Sequence, residues 1–196
     1  MPKISSQKTE QTRIKILSSA IEVLSSKEYH KCPIDEIAKR ADIGKGTVYL
    51  YFKSKEELYY SILFKLIDEM KEIVEAVRLG DGEPSNKITE LLVQMRSFLK
   101  THAHIFMIAK AETGLDKGRM HRKLGKIHDA LLISISRIIE EGIGKGVFKK
   151  YPPVLIGAMF FSMLHTVAHY KTKKRPGHES ITPELLSDIF LKGIQI

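Results

Sequence analysis

Eight histidines and one cysteine are the side chains of this 196-residue chain best suited to metal or nucleophilic chemistry. His165 and His169 lie four apart, which on a helix is metal-ligand spacing. No Glu stands beside the first, so the zinc-protease pattern fails, and two ligands are too few for a closed site. His102, His104, His121 and His128 fall in the same region without such spacing. The pair is therefore expected to line a ligand pocket or to be satisfied structurally. Gly44-Lys45-Gly46-Thr47 looks faintly like the end of a phosphate loop, but the Gly-Lys-Ser/Thr order fails and no strand precedes it. The run Gly142–Gly146 follows a helical pattern and reads as a helix stop and turn. Cys32, with no second cysteine, reads as a small packed residue rather than a redox sensor. No metal, no cofactor and no enzymatic site is expected.

The stretch with a coherent chemistry is IDEIAKRADIGKGTVYLYFKSKEELY, Ile34 to Tyr59. Ile34, Ile37, Ala38 and Ala41 recur at helical spacing and give a first short helix one apolar face. Asp42 breaks that pattern and tolerates the left-handed backbone of a tight turn. A second helix starts near Gly44 and lasts about two turns, to Phe52. Val48 and Phe52 share the face toward the first helix, while Gly46, Thr47, Leu50 and, at the margin, Tyr49 point away. A small residue and an apolar leucine suit a helix pressed into a major groove, where Leu50 can meet a thymine methyl. Lys45, Lys53 and Lys55 flank this face, placed to meet phosphates. The candidate DNA contacts are Lys45, Gly46, Thr47, Tyr49, Leu50, Tyr51, Lys53 and Lys55. The stretch reads as a helix-turn-helix.

These residues, with IKILSSAIEVL upstream, closely resemble the amino-terminal domain of the tetracycline-repressor (TetR) family over roughly the first 60 residues. Departures are Asp42 where Gly is usual, Gly44 where Ser is common, and Cys32-Pro33 where two threonines often sit. The resemblance implies an all-α fold: a three-helix helix-turn-helix head, residues 1–53, and a helical ligand-sensing and dimerisation body, residues 54–196, about nine helices in all. It implies a homodimer bound to a pseudo-palindromic double-stranded operator, a pocket among the middle helices of the body, and repression as the usual output. It also implies that the last two helices pair with their symmetry mates.

Composition agrees with a soluble globular chain, 43% hydrophobic and 28% charged, and the net charge of +9 suggests a polyanionic partner. No apolar stretch is long enough to span a membrane. The start, MPKISSQKTEQTR, has no apolar core and is not read as a signal peptide. The single cysteine fits a reducing cytoplasm.

Along the chain, residues 1–8 read as a frayed polar arm, and a helix follows from about Thr9 to Ser26. Pro33 suits the first turn of the next helix, with Cys32 at the cap. Ser54 and Glu57 form a capping box at the start of a long fourth helix, expected to satisfy each other's backbone donors. That helix, ending before the loop at 80–84, reads as the mechanical link from head to body. The body continues as helices over about 86–101, 119–141, 154–170 and 183–193. VLIGAMFFSMLHTVAHY, 154–170, is apolar nearly all round, so a second subunit is the simplest cover for its outer side. Ile156, Phe160, Met163, Leu186, Ile189 and Phe190 are the candidate interface residues, with Phe160 placed outward. Met95, Phe98, Phe106, Met107, Phe161, His165 and His169 are the candidate ligand lining, for an effector largely apolar with a polar or anionic end. Two other classes stay open: a constitutive DNA-binding or architectural protein with a filled body, and a helical enzyme carrying a helix-turn-helix.

Overall fold

The computed structural model describes the backbone of residues 3–26, 31–103, 105–106, 117–169 and 182–196, and the side chains of 7–25, 31–103, 105–106, 125–164 and 182–196. Among these residues the regular structure is helical throughout: α1 (Lys3–Ser26), α2 (Ile34–Arg40), α3 (Lys45–Tyr51), α4 (Lys55–Leu79), α5 (Pro84–Thr101), α6 (Lys117–Gly144), α7 (Pro153–His169) and α8 (Pro183–Ile194). The fold is all-α, as read from the sequence. No described helix is long and apolar enough to cross a membrane.

The chain forms two compact units, Met1–Ile67 with His102–Lys117, and Asp68–Thr101 with Gly118–Ile196. The division falls inside α4, so one continuous helix belongs to both. In the first unit Ile16, Leu17, Ala20 and Leu24 of α1 are buried, as are Ile34, Ile37 and Ala38 of α2, Val48 and Phe52 of the α3 region, and Leu58 and Ile62 of α4. Tyr59, also buried, donates its hydroxyl hydrogen to the Ile105 carbonyl. The helix α1 begins at Lys3, so residues 3–8 continue the helix and are not a frayed arm. Nothing in Lys3–Lys8 is a helix breaker, and the Thr12 hydroxyl bonds back to the Lys8 carbonyl at 2.9 Å.

In the second unit the ends of three helices meet at Lys87. This lysine of α5 is buried, and its ammonium donates to the Arg78 carbonyl in the last turn of α4 (3.1 Å) and to Glu141 of α6 (2.9 Å). It thus satisfies a carbonyl that α4 itself leaves open. Glu141 also accepts from Lys145 at 3.0 Å, and the two lysines together hold its carboxyl below the usual 4.5. The Gly142–Gly146 run does not stop α6 at its first glycine. Gly142 stays helical, and the Phe148 ring lies where its side chain would be: a Cβ there would sit 2.0 Å from a ring carbon. The helix ends at Gly144, and Gly146, at φ +71°, makes the turn. Residues 147–149 then pair with the end of α8, with Lys149 N–H to the Ile194 carbonyl at 2.7 Å and Ile196 N–H to the Val147 carbonyl at 3.2 Å.

Candidate nucleic-acid interface

The turn between α2 and α3 closes through two hydrogen bonds. Asp42 N–H donates to the Lys39 carbonyl at 3.1 Å and Ile43 N–H to the Ala38 carbonyl at 3.0 Å. That pattern needs a left-handed residue between them, and Asp42 supplies it at φ +49°, the single non-glycine positive φ among the described residues. The next helix, α3, opens at Gly44, which caps it without a side chain, and closes at Phe52, whose N–H returns to the Val48 carbonyl at 3.0 Å. Val48 and Phe52 are buried, and the Arg13 guanidinium lies 5.4 Å from the centre of the Phe52 ring. Inward anchors on one side leave the rest of α3 outward.

That outward face carries Leu50, 84% exposed, with Tyr49 exposed beside it. Gly46 is exposed too, and a Cβ built on it would meet nothing within 4 Å. Thr47 and Tyr51 are half-buried, Lys45 and Lys53 exposed, and Lys55 half-buried. All eight candidate contacts therefore belong to one continuous segment, with an apolar centre and cationic flanks.

Two details of this surface differ from expectation. Lys45 is not a bare cation: its ammonium sits 2.9 Å from the Asp35 carboxylate, and that hydrogen bond raises its pKa above the usual 10.5. The partner was not legible in the sequence, because only the crossing of α2 and α3 brings positions ten apart together. The second detail is the start of α4. Ser54 Oγ accepts from Glu57 N–H at 3.2 Å as expected, but the Glu57 carboxylate takes the Lys53 N–H at 2.7 Å, one residue earlier than a capping box requires. Ser54 and Glu56 share a further contact that lowers the Glu56 pKa. The donors at this helix start are thus partly taken by its own side chains, which leaves the charges of Lys53 and Lys55 as the cationic groups there. At α2 the cap is Pro33 rather than Cys32, which is buried one position earlier.

The other candidates scatter. Among the ligand-lining set, Met95 is buried, while Phe98, Phe106 and Phe161 are half-buried. Phe161 meets the His128 ring edge-on at 4.8 Å between centroids. Met107 and the side chains of His165 and His169 lie outside the described residues. Of the interface set, Ile156, Phe160 and Phe190 are buried within the chain itself. Phe160 packs edge-on against Phe190 at 5.3 Å, so its expected outward placement is corrected: it is a core residue. Met163 and Leu186 are half-buried, and Ile189 is 59% exposed. The outer face of α7 instead carries Leu155 and Met159, each 56% exposed. These two residues, with Tyr151, Met163, Ile189 and Gly193, border an open apolar groove of about 500 Å³ between α7 and α8. Leu155 and Met159 were missed because a helix without a polar face gives periodicity no phase to lock onto.

Comparison with known proteins agrees with this geometry. Residues 16–62 match the family described as bacterial regulatory proteins, tetR family. The HTH-type transcriptional regulator YvdT of Bacillus subtilis is 33% identical over 143 residues, 73% of this chain and 71% of that protein. YhgD of the same organism, also an HTH-type transcriptional regulator, is 27% identical over 180 residues, 91% of this chain and 94% of that one. The crystal structure of the transcriptional regulator FadR from Bacillus subtilis, in complex with stearoyl-CoA, superposes with a TM-score of 0.67 at 23% identity. It covers 91% of this chain and 95% of its own, a likeness of fold. With its helix-turn-helix turned outward as the geometry requires, this chain belongs to the tetR family of bacterial regulatory proteins and is a DNA-binding transcriptional regulator.

Proposed function

We propose that the chain is a dimeric repressor whose α3 enters the major groove of each half of a pseudo-palindromic operator, and which a largely apolar effector releases. The observation that carries this reading is the exposed face of α3: Leu50 at 84% exposure, Gly46 open beside it, lysines on the flanks. Folding alone has no use for that arrangement, since an exposed leucine gains no burial and a helical glycine costs about 0.5–1 kcal/mol. Groove entry uses both, the leucine against a thymine methyl and the glycine for close approach.

Residues 1–53 are the proposed head and 54–196 the proposed body. Dimerisation is assigned to α7 and α8, supported by the apolar groove bordered by Leu155, Met159 and Ile189. Two heads so joined gain affinity from effective concentration at the second half-site. The effector is assigned to the class of long-chain acyl compounds with an anionic end. Support comes from the apolar candidates Met95, Phe98 and Phe161 of the second unit, and from the stearoyl-CoA held by a regulator of the same fold. Gel shifts on an operator selected from a random duplex pool test this. Long-chain acyl-CoA is expected to release the DNA, and coenzyme A alone is not. Release by no acyl compound, with firm operator binding, would leave a constitutive DNA-binding protein.

A further inference from the structure

Lys45 occupies the first position of α3, on the flank of the exposed Leu50 face, and its ammonium is hydrogen-bonded to Asp35 of α2 at 2.9 Å. Both side chains are more than half exposed, at 53% and 64%. A pair so exposed adds little to folding, too little to account for an acid on a surface that must approach a polyanion. Its consequence at that surface is larger. Affinity for duplex of any sequence follows the number of phosphates neutralised, with a salt slope of about −0.9 per contact. A lysine engaged by a carboxylate is withheld from that count, and the carboxylate itself repels phosphate. The same hydrogen bond raises the Lys45 pKa above its usual 10.5, so it favours the charged ammonium that the pair requires. The whole chain carries a net charge of +9, which favours capture by bulk DNA.

We propose that Asp35 restrains sequence-independent DNA binding: it holds Lys45 and sets a negative charge beside the docking face, removing about one phosphate contact from the interface. The proposal rests on the reading of α3 as the groove-entering helix. It identifies a residue of the binding surface whose sign is opposite to its ligand's.

Fluorescence anisotropy of the full-length protein on a random-sequence duplex, titrated across salt concentrations, reads this directly. Asp35→Asn is expected to bind about 5–10-fold tighter at about 0.1 M salt, with a slope steeper by about 0.9. Asp35→Ala is expected to do the same, with thermal melts of both showing a folded protein. The steeper slope should vanish in the Asp35→Asn, Lys45→Ala double variant, which keeps only the smaller gain from the lost negative charge. Asp81→Asn makes the same net-charge change in the loop after α4 and should give no such gain. Unchanged or weaker binding by Asp35→Asn would overturn the proposal, as would an equal gain in Asp81→Asn or a steeper slope that survives Lys45→Ala. Lys53→Ala and Lys55→Ala separate the two readings. If they flatten the slope while Asp35→Asn does nothing, the restraint alone fails. If neither alters the slope, the interface reading fails with it.

Discussion

A leucine 84% exposed and a glycine with empty space where its Cβ would be are both defects by the rules of a free-standing helix. Gly46→Ala is therefore expected to stabilise the free protein by about 0.5–1 kcal/mol, raising Tm by about 1–4 °C. The same change should weaken operator binding by about tenfold or more, because the added methyl stands between helix and groove; melting and anisotropy on one preparation measure both. A rise in both quantities would mean that α3 does not approach DNA on this face. At Asp42 the backbone is the constraint. Asp42→Gly should leave stability within about 1 kcal/mol, whereas Asp42→Val, β-branched at φ +49°, should cost about 1–2 kcal/mol in denaturant unfolding. The turn at Asp42 was legible because a residue that tolerates left-handed backbone stands just past Ala41, the last apolar position of the first helical repeat. The hold of Asp35 on Lys45 was not, since no local pattern reports a contact set by how two helices cross.

At the level of helices, periodicity located the elements, and tertiary contacts set their ends. The apolar repeats of α4, α5 and α6 announced those helices. The helix α6 runs past Gly142, whose missing side chain leaves room for the Phe148 ring, and the turn waits for the positive φ of Gly146. The start of α4 likewise follows Glu57 reaching past Ser54 to the Lys53 N–H. The far end of α4 depends on Lys87, which ties it to α5 and α6 through Glu141. Lys87→Met is expected to cost about 1–2 kcal/mol, less than breaking an isolated buried pair, because Glu141 keeps Lys145. Glu141 and Glu75, the latter held first by Arg78 and then by Ser134, both have depressed carboxyl pKa values in the folded state. Their stabilisation is present above the unfolded value near 4.5 and is lost as pH falls through the lower folded values. Tm measured from neutral to acid pH should thus fall below about pH 4.5, and Lys87→Met should show a shallower fall. An equal fall in both proteins would show that Lys87 does not hold the Glu141 carboxylate.

For the molecule as a whole, the uniformly apolar α7 announced that something must cover it, but not which residues face outward. With Phe160 packed on Phe190 inside the chain, Phe160→Asp is expected to unfold the protein, since it buries a charge in an apolar contact. Met159→Asp, on the exposed side, should instead give folded monomers by light scattering, with operator affinity reduced by about a hundredfold or more as the second half-site is lost. Monomers from the wild type at micromolar concentration would contradict the assignment of that face. The most direct test of the central claim, that the exposed face of α3 reads the major groove from a two-headed regulator, is sequence selection. Wild type and Leu50→Ala are each used to select bound duplexes from a random pool. Wild type should enrich a pseudo-palindrome with half-site centres about 10 base pairs, or a multiple, apart, containing a thymine position whose preference disappears in Leu50→Ala at both symmetric places. Enrichment of no sequence by the wild type, or of the same sequence with undiminished preference by both proteins, would contradict it.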